Sequence, residues 1–259
     1  MTCEPAPIVQ LRDVAKRYGG FDALTGVTMA IYPATVTCVL GDNGAGKSTL
    51  IKILAGLHAP SAGGLLIDGE ATTLASPRDA LAAGISTVYQ DLAVVEQMSV
   101  WRNFFLGQEL TGAFGRLRAS TMRRTAAEAL GQLGVELRSV DAPVASLSGG
   151  QRQVVAIARV VHFGARVLIL DEPTAALGVK QSAMVLRMVD AARRRGVAVV
   201  FITHNPHHAY AVGDRFVLLN RGRVVLNADR SGVSVEELAR QMSGGAELAE
   251  LTFTEPAAD

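Results

Sequence analysis

The sequence predicts an α/β fold in which a mostly parallel sheet is covered by helices on both faces. Two stretches, RVLILDE and VAVVFITH, are continuously apolar before their polar ends, as strands buried on both faces are. The helical stretch SAMVLRMVDAARRRG separates them, which is typical of two parallel strands joined by a helix. Earlier in the chain, VTCVL leads through a glycine-rich turn into a helical pattern and fits the same architecture.

The elements before residue 90 alternate between strand and helix. Residues 8–18, IVQLRDVAKRY, alternate apolar and polar side chains as a half-buried strand does. The stretch VTMAIYPATVTCVLG predicts two strands, with Pro33 and Ala34 in the turn between them. A helix, STLIKILAGL, follows, and then the short strands LLIDGE and GISTVYQ with a helical SPRDALAAG between them.

The middle and the end of the chain differ from this pattern. Residues 91–164 are rich in Ala, Leu, Arg and Glu, which predicts a mostly helical subdomain. We divide the chain into a first part of the core (1–90), a helical subdomain (91–160) and a second part of the core (161–243). The last residues, 244–259, are small and acidic, and we expect them to be disordered.

The bulk composition argues against several classes of protein. The chain has 25 basic and 24 acidic side chains, which gives no electrostatic footprint for nucleic acid or for a lipid surface. It is 49% hydrophobic, yet no apolar run approaches the roughly 18 residues of a membrane span, and its start does not read as a secretory signal. Of Cys3 and Cys38, the second lies in an apolar stretch, which favours a buried free thiol. We expect a soluble intracellular domain that has a partner.

Residues 41–48 match the phosphate-loop pattern G-x-x-x-x-G-K-S/T between a predicted strand and a predicted helix. Its glycines let backbone N–H groups converge on phosphate oxygens at a helix start. Lys47 is expected to reach the β- and γ-phosphates and Ser48 to bind Mg²⁺; the alternative is a glycine-rich turn with a solvent-facing lysine. The residues predicted to bind nucleotide here are Gly41, Asp42, Asn43, Gly44, Ala45, Gly46, Lys47, Ser48 and Thr49.

Two adjacent acids, Asp171 and Glu172, follow the apolar strand VLIL. In phosphate-loop enzymes an Asp at the end of a neighbouring strand helps to hold magnesium, and Asp171 fits that role. Glu172 is placed to orient or deprotonate the attacking water. Taken without the phosphate loop, the pair could equally be a simple helix N-cap leading into PTAAL.

The stretch LSGGQ (residues 147–151, here called the signature segment) precedes a helix. Ser148 is suited to cap that helix, and the N–H groups of Gly149 and Gly150 face an end that attracts anions, which predicts a second phosphate site. LSGGQ resembles the signature motif of ATP-binding cassette ATPases. The resemblance to this family extends over roughly residues 8–230 of the chain. The resemblance implies a phosphate-loop NTPase (RecA-like) core with an N-terminal antiparallel β subdomain and an inserted helical subdomain. It also implies a head-to-tail dimer in which Ser148, Gly149, Gly150 and Gln151 of one copy contact the ATP held by the other.

The resemblance assigns three further residues. Tyr18 looks like the aromatic residue that stacks on adenine, which we favour over the alternative of an exposed strand-end tyrosine. Gln90 looks like the glutamine that links magnesium and water to the helical subdomain, and His204 like the histidine that contacts the γ-phosphate. The stretch HNPHH (residues 204–208) could instead be a metal cluster, but its irregular spacing without cysteine is unlike the usual ligand patterns.

Three stretches, GDNGAGKSTLIKILAGL, STVYQDLAVVEQMSVWRNFFLGQE and DEPTAALGVKQ, are similar to bacterial monosaccharide importers of the ribose, xylose and fructose type. This resemblance implies an ATP- and Mg²⁺-dependent ATPase at the cytoplasmic face of the bacterial membrane. Its partners would be a second copy, a membrane permease and, indirectly, a substrate-binding protein, and nucleic acid is not among them. Other cassette ATPases, for amino acid import, for export or without a transport role, are the alternatives.

Two details of the resemblance concern partners. The permease docking surface is expected just after Gln90, in LAVVEQMSVWRNFFLG, with Trp101 among its exposed apolar residues. Cassette ATPases usually carry an Asp after the Ala-Leu that follows the acid pair, near the phosphate loop of the partner. This chain has Gly178 there, so that carboxylate contact cannot form and the communication between two ATP sites is in doubt.

Overall fold

The computed structural model describes residues 5–135 and 137–242. Its strands are β1 (Val9–Tyr18), β2 (Phe21–Ile31), β3 (Val36–Leu40), β4 (Ala62–Ile67), β5 (Glu70–Thr72), β6 (Ile85–Val88), β7 (Val167–Asp171), β8 (Ala198–Thr203), β9 (Arg215–Asn220) and β10 (Arg223–Asp229). Its α-helices are α1 (Lys47–Leu54), α2 (Pro77–Ala82), α3 (Val100–Phe104), α4 (Ala119–Gln132), α5 (Gly149–His162), α6 (Val179–Arg194), α7 (Pro206–Val212) and α8 (Val235–Met242). Cys3 and the predicted tail, 244–259, lie outside the described residues.

The larger sheet has six strands in the order β10-β9-β3-β8-β7-β6. The pairs β3–β8, β3–β9, β7–β8 and β6–β7 are parallel, and β10 is antiparallel to β9. All five residues of β3 and all six of β8 are buried, as their apolar sequences predict. The mostly parallel sheet predicted from these runs is therefore confirmed. Because the carboxyl ends of its parallel strands meet at one edge, the residues that follow β3, β6, β7 and β8 come together there.

The smaller sheet is antiparallel, in the order β2-β1-β4-β5, which confirms the predicted N-terminal β region. Its apolar face packs with α1 against one face of the larger sheet in a single core cluster that includes Leu11, Leu50 and Val200. A second core cluster, on the other face, joins the sheet to helices α3–α6. The larger sheet is thus covered on both faces, as predicted.

Helices α3 and α4 lie within the predicted helical subdomain, and α5 begins in it and ends at His162; the limits of the subdomain at residues 91 and 160 stay a prediction. Helix α5 contributes Val154, Val155, Ile157 and Ala158 to the core. Between residues 5 and 242, with residue 136 set aside, every helix is too short or too polar to span a bilayer.

The expectation of an exposed Trp101 is wrong. Its side chain is only 3% exposed, and it packs in the core with Val100, Phe104 and Phe105. The indole Nε1 donates to Asp141 Oδ1 at 3.1 Å, which satisfies the polar atom of a buried tryptophan. Apolar residues of this stretch therefore build the helical region.

Cys38 is buried and forms no disulfide, as predicted. It lies in the middle of β3, and its thiol donates weakly to the carbonyl of Ala209 at 3.4 Å. Burial raises the pKa of the Cys38 thiol far above its ordinary value, so the residue acts as a small apolar side chain.

Candidate nucleotide-binding site

The phosphate loop (residues 41–49) connects β3 to α1 and has the backbone shape that its glycines allow. Gly41 and Gly46 have φ values of +151° and +107°, in a region that residues with a Cβ rarely adopt. A Cβ added at Gly41 would lie 2.5 Å from the carbonyl oxygen of Leu219, and one at Gly46 would lie 2.8 Å from that of Ala23. Both positions therefore require glycine.

Lys47 is folded into the phosphate loop. Its Nζ donates to the carbonyl oxygens of Gly41 and Asp42 at 2.7 and 3.1 Å, and the residue is only 8% exposed. Nζ also lies 4.0 Å from Glu172 Oε1. The alternative of a solvent-facing lysine is therefore wrong, and a buried ammonium group lies where a phosphate would be expected to meet it.

The two acids lie at the carboxyl end of β7, beside the phosphate loop. Asp171 is the last residue of the strand, and Glu172 continues the pairing by donating its N–H to the carbonyl of Ile202 at 3.0 Å. The next helix, α6, begins at Val179 with Gly178 at its N-cap, so the acid pair does not cap it. The simple N-cap alternative is therefore wrong.

Asp171 has the electrostatics of a cation ligand. Burial and the neighbouring charge of Glu172 raise the pKa of Asp171, and Lys47 offsets them in part. Ser48, Gln90 and Asp171 offer oxygen donors, which Mg²⁺ prefers. A divalent cation would also offset the energetic cost of burying the charged Asp171 carboxylate. These residues fit the metal that the resemblance implies.

His204 joins the acid pair. It follows β8, and its Nδ1 lies 3.0 Å from Glu172 Oε1, which suits an N–H donor to a carboxylate. The same oxygen of Glu172 is the one near Lys47, so three predicted site residues meet at one point. Within the described ranges, His, Cys, Asp and Glu side chains form no group of three that could hold a metal ion, and HNPHH is no exception.

The aromatic residues near the phosphate loop include one that the sequence did not single out. Residues 42–49 line a cavity of about 240 Å³ together with Phe21 and Ala23. Phe21 is 65% exposed and pairs with Tyr18 across the β1–β2 turn, a register that a strand-pairing prediction could have indicated. Tyr18 does not line this cavity; its ring is edge-on to His58, with centroids 5.6 Å apart. Adenine stacking by Tyr18 stays a prediction.

Gln90 and one residue of the signature segment, Gly149, line a different cavity. Gln90, Gly149 and Glu172 are among the residues around a volume of about 420 Å³. Ser148 caps α5 as predicted: its Oγ accepts from Gln151 N at 3.3 Å, and Ser148 N donates to Gln151 Oε1 at 2.9 Å. Gln90 and Gly149 thus line one cavity with Glu172, and no residue of the phosphate loop lines it.

Comparisons with known proteins agree with this arrangement. The family model described as ABC transporter matches residues 24–175. The xylose/arabinose import ATP-binding protein of Sulfolobus acidocaldarius is 40% identical over 236 residues, which are 91% of this chain and 94% of that protein. The fructose import ATP-binding protein of Rhizobium meliloti is 40% identical, over 93% of this chain and 95% of that protein. A ribose import ATP-binding protein of Streptomyces avermitilis is 38% identical over 93% of this chain, which spans 47% of that relative.

A solved structure has the same fold. It is a dimeric, post-hydrolysis state of the ATP-binding cassette MJ0796 bound to ADP and Pi, 27% identical, with a TM-score of 0.71. The match covers 86% of this chain and 98% of that one. The chain therefore belongs to the ABC transporter family, as an ATP-binding cassette.

Proposed function

We propose that this chain is the ATP-hydrolysing subunit of a monosaccharide importer. The observation that carries the proposal is the meeting of Lys47, Glu172 and His204 at the carboxyl edge of the sheet, with Glu172 Oε1 4.0 Å from the lysine and 3.0 Å from the histidine. The names of the xylose/arabinose, fructose and ribose import relatives support a monosaccharide as the cargo.

The residues divide the work of hydrolysis. Backbone N–H groups of the phosphate loop and Lys47 bind the phosphates of ATP. Glu172 orients the attacking water and accepts its proton, while His204 holds the carboxylate and contacts the γ-phosphate. Ser48, Asp171 and Gln90 would hold Mg²⁺, which neutralises phosphate charge when bound. Positioning and charge supply most of the catalysis, because phosphoryl transfer needs little covalent help.

Two copies are needed for a complete site. The signature segment lies on a wall apart from the phosphate-loop cavity of its own chain, which supports a head-to-tail pair in which each segment completes the other copy's site. The dimeric MJ0796 cassette is a related assembly. ATP binding would close this dimer, and hydrolysis and phosphate release would reopen it.

The permease is proposed to dock in a groove between β6 and α5. This groove has a volume of about 350 Å³, and its wall includes Val88, Tyr89, Val94, Val155, Arg159 and Phe163. It contains part of the stretch after Gln90 that the sequence indicated, but on the core side of that stretch. We assign to it a short cytoplasmic helix of the permease, with an apolar face for the groove and an acceptor for Arg159. The chain would then act at the cytoplasmic face of the membrane.

Purification with the permease tests this function. The chain and a candidate sugar permease are co-expressed, extracted in mild detergent and assayed for ATPase activity with binding protein loaded with xylose, ribose or fructose. We expect co-purification and stimulation by one loaded protein. A permease that stays behind, or ATPase activity that no loaded sugar-binding protein changes, would contradict the proposal. Tyr89→Ala in the groove should release the permease, and Leu57→Ala, on another exposed surface, should not.

A further inference from the structure

The loop that follows the acid pair (residues 172–178, here called the acid-pair loop) has a backbone that needs support. Glu172 and Ala176 have φ values of +47° and +56°, in the left-handed region that residues with a Cβ adopt at a cost. Such a conformation persists only where neighbouring contacts hold it. The acid-pair loop joins the predicted general base to α6, so the contacts that hold it also hold Glu172.

Besides backbone hydrogen bonds, two histidines of HNPHH contact this loop. His204 binds Glu172, and four residues later His208 Nδ1 lies 2.9 Å from Thr174 Oγ1. Thr174 is only 6% exposed, so this hydrogen bond is made inside the protein. The second histidine has no part in the mechanism described above.

The turn between β8 and α7 fixes the position of His208. The Oδ1 atom of Asn205 accepts from the N–H groups of His207 and His208 at 3.0 and 3.1 Å and so caps α7. Asn205 is itself held, because its N–H donates to Thr203 Oγ1 at 3.1 Å. The imidazole therefore projects from a rigid helix start.

The charge state of His208 suits the contact. Burial, with nearby His207 and His204, lowers the pKa of His208, so its ring is neutral at neutral pH. A neutral imidazole has one donor and one acceptor nitrogen, and the threonine hydroxyl can serve either.

The other end of the acid-pair loop contacts the signature segment. A Cβ added at Gly149 would lie 2.9 Å from Leu177 Cδ2, so these residues are in close contact. A displacement of Thr174 would therefore shift Glu172 at one end of the loop and the start of α5 at the other.

We propose that His208 is a positioning residue. It holds the acid-pair loop through Thr174 and so fixes the position of Glu172 relative to the signature segment. The proposal rests on the proposed ATPase function. It gives HNPHH a structural reason: its first histidine holds the acid and its last holds the loop behind that acid.

Steady-state ATPase kinetics of Thr174→Val, His208→Leu and their double variant test this role. Thr174→Val keeps the shape and removes the hydroxyl. We expect each single variant to lower kcat about three- to tenfold, the worth of one internal hydrogen bond, and to leave KM for ATP within about twofold. The double variant should be no worse than the poorer single variant, because both lose the same bond. His208→Asn, which keeps a polar atom near the Nδ1 position, should restore most of kcat.

The controls separate this inference from the function on which it rests. His207→Ala changes an exposed neighbour on the same turn and should behave as the wild type. A wild type without ATPase activity would overturn the proposed function. An active wild type with unchanged kcat in Thr174→Val, or with losses that add in the double variant, would overturn the positioning role. If His208→Leu fails to fold in a thermal melt, Thr174→Val and His208→Asn still decide the question.

Discussion

Helices α1 and α5 both begin at a predicted phosphate site, and they satisfy their first N–H groups in opposite ways. At the start of α1, Gly46 occupies the N-cap, and no side chain of the described residues caps the helix. At the start of α5, Ser148 and Gln151 bond each other's backbone in a complete capping box. One helix start is left open for a ligand, and the other is already satisfied by its own chain.

The charges beside the two helix starts differ in the same sense. Lys47 is buried at the start of α1, within 4.0 Å of Glu172, whereas α5 begins with the uncharged Gly149, Gly150 and Gln151, and the Arg152 that follows them donates to the carbonyl oxygen of Leu147 at 2.9 Å. The start of α1 is therefore proposed to bind phosphate within one chain. In the proposed head-to-tail dimer, the start of α5 would offer Gly149 and Gly150 to the nucleotide bound by the other copy. Under this proposal, binding of the nucleotide and completion of the site are separate functions, and substitutions can test that separation.

The largest effect is expected from Glu172→Gln, which should stabilise the dimer in which the start of α1 of one copy and the start of α5 of the other contact the same ATP. ATP binding needs the phosphate loop and not this carboxylate, so binding should persist, and loss of the general base should lower kcat by about 10²–10⁴. The variant should accumulate as an ATP-bound dimer in size-exclusion chromatography. Unchanged steady-state hydrolysis would remove Glu172 from the mechanism.

Lys47→Ala should weaken phosphate binding at the start of α1 and leave the start of α5 unchanged. Removal of the buried ammonium group should lower kcat by about 10²–10³ and weaken ATP binding by the isolated chain, because a charge that faces the phosphates is lost. Fluorescent-nucleotide titration and an ATPase assay measure the two effects. ATP affinity equal to that of the wild type would show that the loop backbone alone binds the nucleotide.

Ser148→Ala should do the reverse. Loss of the cap should lower the free energy of unfolding by about 1 kcal/mol, whereas ATP affinity of the isolated chain should stay unchanged, because Ser148 does not line the phosphate-loop cavity. Hydrolysis should fall about tenfold or more, since a donor to the partner's nucleotide is perturbed. Denaturation curves and ATPase rates separate these consequences.

A mixture of the last two variants provides the control for the head-to-tail arrangement. In a mixed dimer, one site carries both substitutions. The other site combines the unchanged Lys47 of the Ser148→Ala copy with the unchanged Ser148 of the Lys47→Ala copy and is intact. With random pairing, an equal mixture should recover about a quarter of the wild-type rate. A mixture that gives only the mean of its two parents would contradict a site shared between copies.

The sequence was most informative where a local pattern decides the structure. Buried parallel strands read as continuous apolar runs, and the phosphate loop needs its glycines and lysine within a few residues, so β3, β7, β8 and residues 41–49 could be predicted. The edge of the sheet on which they meet followed from the parallel topology. The contacts of Lys47, Glu172 and His204 are consequences of that edge.

The failures depend on contacts between distant residues. Trp101 has an apolar ring that suits a surface or a core, and the acceptor for its indole N–H is Asp141, forty residues away in sequence. Phe21 belongs to no motif and reaches the phosphate loop only through its pairing with Tyr18. The bond between His208 and Thr174 joins residues that no local pattern links.

Gly178→Asp is expected to have the smallest effect. It tests whether residue 178 at the start of α6 only caps its own helix or also contacts the nucleotide site of the partner. Gly178 is the N-cap of α6, where a Cβ would meet no heavy atom of the described residues within 4 Å, and its φ of −69° is open to any residue. An aspartate should therefore cap the helix and raise the free energy of unfolding by roughly a few tenths of a kcal/mol. The same carboxylate would restore the usual contact with the partner's phosphate loop, so the Hill coefficient for ATP should rise. A stability gain without a change in cooperativity would show that residue 178 acts on helix capping alone.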